Sequence, residues 1–200
     1  MQSGTRLVEM ATTADAPRRK DAQRNRDAIL VAARELFAES ADVPMYEVAR
    51  RAGVGQATLY RNFPDRRDLA AALLDEKLAR TEQLAREHAD DPDAFFVLLR
   101  HAAESSAYTQ ALSELVREDV CLGSKLEECR HRLEELMKGP LCTAKAAGSL
   151  RRDLTIDDVF IVLSMVRGAV AKAEGPAARA AAASRSLALV LDGVAPASAR

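Results

Sequence analysis

Residues 48–66 read Val48-Ala49-Arg50-Arg51-Ala52-Gly53-Val54-Gly55-Gln56-Ala57-Thr58-Leu59-Tyr60-Arg61-Asn62-Phe63-Pro64-Asp65-Arg66, and this stretch decides the fold. Met45, Val48, Ala49 and Ala52 recur at i, i+3, i+4 and i+7, which is one apolar face of a short helix. Gly53 stands where such a helix closes with a left-handed residue. Val54 and Gly55 then make a tight turn. A further helix over 56–62 turns Leu59 and Phe63 inward, and Pro64-Asp65 stops it and caps the next. Two short amphipathic helices joined in this way form a helix-turn-helix, whose second helix is built to enter the major groove of DNA.

Upstream, Ile29, Ala33, Leu36 and Phe37 sit at i, i+4, i+7 and i+8, so a first helix is expected over residues 23–39. Ser40 to Pro44 breaks it, and Pro44 suits the start of the next helix. Residues 1–20 show no apolar period and read as a disordered arm ending in Arg18-Arg19-Lys20. That ending is either a solvated tail or a basic arm for phosphates or the minor groove.

Downstream, a long helix over residues 65–88 would reach ~36 Å, enough to leave one bundle and enter another. Asp90-Asp91-Pro92-Asp93 ends it and starts a helix bearing Phe95, Phe96, Leu98, Leu99, Ala102 and Ala103. Shorter helices are expected over 108–118 and 123–138, the latter broken by Gly139-Pro140. Thr155 and Asp158 resemble a capping box, with Asp in place of the usual Glu. Behind them Ile156, Val159, Phe160, Leu163, Val166 and Val170 keep up an apolar face. Gly175-Pro176 separates this helix from a last one over 177–192. No strand-like alternation and no repeat interrupts the pattern. The expected fold is all-α, with a helix-turn-helix domain over residues 21–67 (motif about 45–63) and a helical bundle over residues 68–195.

Composition agrees. Of 200 residues, 48% are hydrophobic and none is Trp. No apolar run approaches the ~20 residues that span a bilayer, and no secretion signal precedes the first helix, so a cytoplasmic protein without a membrane partner is expected. Cys121, Cys129 and Cys142 are too few and oddly numbered for a disulfide framework. The net charge of −1 conceals an asymmetry: residues 17–67 carry 11 Lys and Arg against 7 Asp and Glu, whereas residues 68–200 carry 17 against 21. The basic end suits a polyanion.

The stretch from Val48 to Arg66 also resembles the signature of the TetR family of repressors, as do residues 29–37 before it and Leu69 after it. The similarity covers roughly residues 24–75. It is carried by Ala49-x-x-Ala52-Gly53-Val54, by Leu59-Tyr60-x-x-Phe63, and by a basic residue three beyond Phe63. The Gly148 to Leu154 turn leading into Thr155 looks like a recurrent feature of that family's regulatory domain. Three positions depart from the pattern: Gly55 where Ser is common, Asn62 where His is frequent, and Arg66 for a common Lys.

Chemistry then suggests roles in DNA binding. Gln56 is suited to a bidentate pair with an adenine edge, and the small Ala57 to a thymine methyl. Thr58, Tyr60 and Asn62 offer polar tips to phosphate oxygens, which set register without reading sequence. Arg66, in the first turn of the long helix, adds a cation to nearby backbone N–H groups. Arg50 and Arg61 are further candidates for the DNA backbone. The plainer alternative is that these side chains solvate a surface.

The resemblance implies a homodimer binding a palindromic double-stranded DNA operator, with the last two helices pairing across the two-fold axis. Ala169, Ala173, Ala180 and Ala181 would permit close approach there. It also implies a cavity in the second domain where a small-molecule effector shifts the long helix. Phe95, Phe96, Tyr108, Leu112, Met137, Phe160 and Met165 are the candidate lining, although ordinary core is the better reading for any one of them. Few charges are expected to point inward, which favours an apolar or weakly polar effector.

Four other readings compete. Cys121, Cys129 and His131 fit no zinc spacing, so neither a metal nor a redox sensor is favoured. No Gly-rich phosphate loop, nucleophile elbow or HExxH motif is present, so neither catalysis nor a cofactor is expected. A helical ligand-binding or scaffolding protein whose head has lost DNA binding remains the rival, kept open by Gly55 and Asn62. An activator instead of a repressor is equally compatible with the sequence.

Overall fold

The computed structural model describes residues 15–40, 42–105, 112 and 120–194. Its elements are α1 Asp15–Glu39, α2 Met45–Ala52, α3 Gln56–Asn62, α4 Arg66–Glu87, α5 Ala94–Glu104, α6 Val120–Ala146, α7 Ile156–Ala171 and α8 Pro176–Val194. The described residues contain no strand. The all-α expectation holds. The helix expected over 108–118, and with it Tyr108, lies outside the described residues.

Two apolar clusters organise the molecule. The first gathers Ile29, Phe37, Val48, Leu59, Phe63 and Leu69, all nearly devoid of solvent contact. The second gathers Phe95, Leu98, Met137, Leu150, Val166 and Leu187 from α5, α6, α7 and α8. Helix α4 belongs to both. Leu69, Leu73 and Leu74 lie in the first cluster, and Leu84 packs on the second. With 22 residues, α4 is a rod of about 33 Å that joins the N-terminal head to the body. The first cluster does not stop at residue 67. It runs on to Leu74 and also takes in Leu112 and Leu122, so head and body share packing instead of meeting at a linker.

The local signals act as their chemistry requires. Gly53 closes α2 at φ 68°, its N–H directed to the Ala49 and Arg50 carbonyls, a conformation that costs a residue with a Cβ about 1–2 kcal/mol. Asp65 caps α4 by accepting from the N–H groups of Arg67 and Asp68, and Asp68 returns the bond to the Asp65 N–H. Thr155 and Asp158 do the same for α7. In both boxes the shorter Asp replaces Glu without losing the reciprocal bond.

Two expectations about helix ends are corrected. Helix α1 starts at Asp15, so Arg18-Arg19-Lys20 are helical and not the end of a disordered arm. Pro17 falls in the first turn, where a missing N–H costs nothing, and the following Arg, Lys, Ala and Gln are good helix formers. Helix α6 runs through Gly139-Pro140 to Ala146. An interior proline costs about 3 kcal/mol. Met137, Leu141 and Ala144, at i, i+4 and i+7 and all buried in the second cluster, supply the offsetting packing. The helix ends instead at Gly148, φ 74°.

Two arginines tie head to body. Arg34 of α1 pairs with Glu76 of α4. Arg179 of α8 donates to the Ala38 carbonyl near the end of α1, and through Nε to the Ala173 carbonyl at 3.1 Å.

Candidate nucleic-acid interface

Helix α3 is held from its inner side. Leu59 has no exposed surface and Phe63 almost none, and the Phe63 N–H donates to the Leu59 carbonyl at 2.8 Å to close the helix. The Arg26 guanidinium of α1 lies 4.6 Å from the centre of the Phe63 ring, a cation–π contact that fastens the first helix to the end of the third. The sequence reading did not single out Arg26. A cation three residues before Ile29, on the edge of the buried stripe, was the available signal.

The outer side is open. Gln56, Ala57, Tyr60 and Arg61 are exposed, and Thr58 and Asn62 are partly so. The Tyr60 side chain keeps 48% of its surface in solvent, as Tyr46 of α2 keeps 58%. Gln56 and Ala57 therefore stand at the start of α3 with nothing over them, where side chains reach base edges.

Several of the other expected contacts are engaged internally. Arg61 folds back on its own helix, with Nε donating to the Ala57 carbonyl at 3.1 Å and Nη2 to the Thr58 hydroxyl at 3.3 Å. Asn62 donates to the Thr58 carbonyl at 2.8 Å. It thus extends the C-terminal bonding of α3 while partly exposed. Arg50 grips Glu47 through Nε at 2.8 Å and Nη2, and the bond holds the Glu47 carboxyl below its usual range. Solvent screens an exposed pair of this kind, so Arg50 can exchange Glu47 for phosphate.

Arg66 differs most from its expected placement. Its guanidinium lies 5.5 Å from the centre of the Phe37 ring and 3.4 Å from the Asp42 carboxylate. Its Nε and Nη2 are buried without a hydrogen-bond partner. The neighbouring N–H groups of Arg67 and Asp68 are already taken by Asp65. A phosphate there would have to displace a carboxylate cap, so Arg66 braces α1 against α4 in this structure.

Gly55 caps α3 without a side chain, at φ −68° and ψ 147°. Any residue adopts this backbone, and a Cβ added there meets nothing within 4 Å. Gly55→Ser is therefore expected to supply the missing acceptor and stabilise the fold by a few tenths of a kcal/mol, roughly 1 °C in melting temperature. A lower melting temperature in a thermal scan would refute this account of the cap.

The effector lining is only partly as expected. Phe160 borders a cavity of about 470 Å³ between α4, α6 and α7, and Phe96 a separate cleft of about 700 Å³ beside Arg100. Phe95 and Met137 are fully buried core, and Leu112 belongs to the head-side cluster. Met165 is 58% exposed and borders neither of these spaces. It falls on the face of α7 opposite Val159, Leu163, Val166 and Val170, which take the inner side. The expectation of few inward charges is also corrected, because Lys77 and Arg167 both border the 470 Å³ cavity. Each occurs at helical spacing within an apolar stripe, Leu73-Leu74-Lys77 and Leu163-Val166-Arg167, and that was the missed signal.

The cysteines are free thiols: Cys121 and Cys142 are exposed, and Cys129 is half-buried, its thiol pushed up by desolvation. Among the described residues, no group of three or more His, Cys, Asp or Glu is disposed to hold a metal ion. No helix among them is long and apolar enough to cross a membrane.

A helix locked from within and bare outside, set in a three-helix head on a helical body, defines a helix-turn-helix DNA-binding regulator. Known proteins agree. Residues 29–73 match the family model described as bacterial regulatory proteins of the tetR family, and residues 90–196 that of the SbtR-like transcriptional regulator C-terminal domain. A crystal structure of a TetR transcriptional regulator from Streptomyces coelicolor is 31% identical, with TM-score 0.63, covering 86% of this chain and 99% of that one. Another, from Mycobacterium vanbaalenii, is 29% identical with TM-score 0.65, covering 89% and 99%. An uncharacterised HTH-type transcriptional regulator of Mycobacterium bovis is 31% identical over 54% of this chain, a match that spans 59% of its own length. The chain belongs to the TetR family of transcriptional regulators.

Proposed function

We propose that the chain is a homodimeric cytoplasmic repressor that binds a palindromic operator and releases it when a small molecule occupies the body. The observation that carries this reading is the bare outer face of α3, where Gln56 and Ala57 lead the helix while Leu59 and Phe63 fix it from below. The head alone has one recognition helix, and a two-fold pair reads two half-sites spaced by whole turns of DNA, about 34–36 Å per turn. The exposed apolar residues Ile161, Met165 and Leu189 on α7 and α8 favour pairing through these helices. Ala180 and Ala181 are exposed there, and Ala169 and Ala173 partly so. Helix α4 supports the switch, because one rod packs in both clusters and borders the cavity. A ligand shifts the balance by as much as its affinity differs between the two positions of that rod.

Gln56→Ala is expected to weaken binding to the cognate operator by roughly 1–3 kcal/mol and to relax preference at one base pair. Fluorescence anisotropy against the wild-type operator and its single-base variants measures both. Equal weakening on every sequence would remove Gln56 from base reading. No duplex bound by the wild type at low salt would favour a ligand-binding protein with a silent head.

A further inference from the structure

Three helix ends meet at Arg179. Helix α1 ends at Glu39, α7 ends at Ala171, and α8 begins at Pro176. The last four carbonyls of a helix have no partner within it, and they carry the negative end of its dipole. Ala38 supplies one of these in α1, and the Ala173 carbonyl lies just past the end of α7. Arg179 reaches both: Nη1 donates to the Ala38 carbonyl, and Nε to the Ala173 carbonyl at 3.1 Å. A guanidinium carries its donors in a rigid planar fork, so holding one carbonyl fixes the direction toward the other. Gly175, at φ 82°, turns the chain between α7 and α8, and the Arg179 N–H donates to the Gly175 carbonyl at 3.1 Å. The arginine is therefore anchored on the α7–α8 side where it touches the head.

The place of this bond decides what it does. Ala38 packs on the head cluster, whereas Arg179 stands on a helix whose Ala183 and Leu187 are buried in the body cluster. Helix α4 also joins head to body, and the Arg34–Glu76 pair adds to it, but both act through the rod itself. Attachments on two different helices fix an orientation that one rod leaves free to swing. Helices α7 and α8 are those by which two copies are proposed to pair, so the Arg179 bonds refer the head to the two-fold axis and not only to its own rod.

We propose that Arg179 is a positioning residue that sets the angle of each head to the paired helices, and with it the half-site spacing that the dimer accepts. This rests on pairing through α7 and α8 and adds the residue by which the pair reads spacing. One base pair inserted between half-sites moves the second by ~3.4 Å and turns it by roughly 35°. A fixed pair of heads refuses that change, and a loose pair follows it.

The operator is first selected from random duplexes with the full wild-type chain. Anisotropy titrations then use it at its own spacing, with one base pair added or removed between the half-sites, and as a single half-site. Wild type should lose roughly tenfold or more in affinity when the spacing changes, part of the 10²–10⁴ gained by linking two sites. Arg179→Gln should lose roughly threefold or less on the same change, with its affinity for the single half-site unchanged. Arg179→Lys, a point cation without the planar fork, should fall between them. An arginine that only stabilised the fold would leave the spacing ratio as in wild type. The second readout needs no DNA. With Cys121→Ser, Cys129→Ser and Cys142→Ser in place and a nitroxide on Tyr46→Cys, double electron–electron resonance measures the distance between the two heads. Its distribution should be narrow with Arg179 and broad with Arg179→Gln. Melting curves check folding, and Arg179→Lys carries both readouts if Arg179→Gln does not fold. An unchanged spacing ratio, or an equally narrow distance distribution, would each overturn the role of Arg179 alone. A chain that stays monomeric by sedimentation, or binds no duplex, overturns the dimeric-repressor reading and the spacing role with it.

Discussion

Phe63→Ala is expected to destabilise the protein by about 3–5 kcal/mol, the usual cost of truncating a fully buried phenyl ring, and to abolish operator binding. The ring is 1% exposed. It closes α3, packs in the same cluster as Ile29, Val48 and Leu59, and lies against the Arg26 guanidinium. Truncation therefore opens a cavity beneath the recognition helix and removes the aromatic face that Arg26 covers. The loss should concentrate in the head, because the cluster of α5 to α8 does not include Phe63. Tyr60→Ala provides the contrast. Its ring is 48% exposed, so stability should change by less than about 0.5 kcal/mol while DNA affinity falls. Urea melts by circular dichroism, paired with anisotropy titrations, separate the two. A Phe63→Ala protein within 1 kcal/mol of wild type, or one that still binds operator fully, would contradict the account of how α3 is fixed.

The same division between inner and outer faces explains what the sequence disclosed. Gly53, Asp65 and Thr155 act through bonds to residues two to four positions away, so their effects can be read along the chain. Leu59 and Phe63 were legible because helical period alone assigns them to the inner side. Pro140 was misread because its local penalty is opposed by the burial of Met137, Leu141 and Ala144, which depends on helices distant in sequence. The intrahelical bonds of Arg61 and Asn62 were not legible for a related reason: each side chain chooses between solvent and nearby backbone, and periodicity does not rank those choices. Beside Arg66 the backbone N–H groups are already bonded by Asp65, a neighbour one residue away whose hold on those groups periodicity does not reveal. Lys77 and Arg167 were passed over because they lie on different helices, and only folding brings the two charges to one cavity.

Met165 was assigned inward by its apolarity and lies outward by its phase, and that error leads to the second large prediction. Ile161 and Met165 are one turn apart, 57% and 58% exposed, and Leu189 of the adjacent α8 is 55% exposed. Helices α7 and α8 pack on each other through their other faces, where Val166, Val170, Ala183 and Leu187 are buried. In the homodimer proposed above, a second copy would cover the apolar stripe left over after that packing, and small residues such as the exposed Ala181 and Ala188 would allow close approach. Placing glutamate at both Ile161 and Met165 would set four carboxylates across a two-fold interface, each requiring desolvation without a partner. The expected result is a folded monomer by sedimentation velocity. Operator affinity should fall by roughly 10²–10⁴, the factor lost when two linked half-site contacts become independent. Affinity for a single half-site should stay at the wild-type value, because α3 is untouched. If the double variant still sediments as a dimer, the subunits pair through some other surface, and the exposed stripe on α7 serves a different purpose.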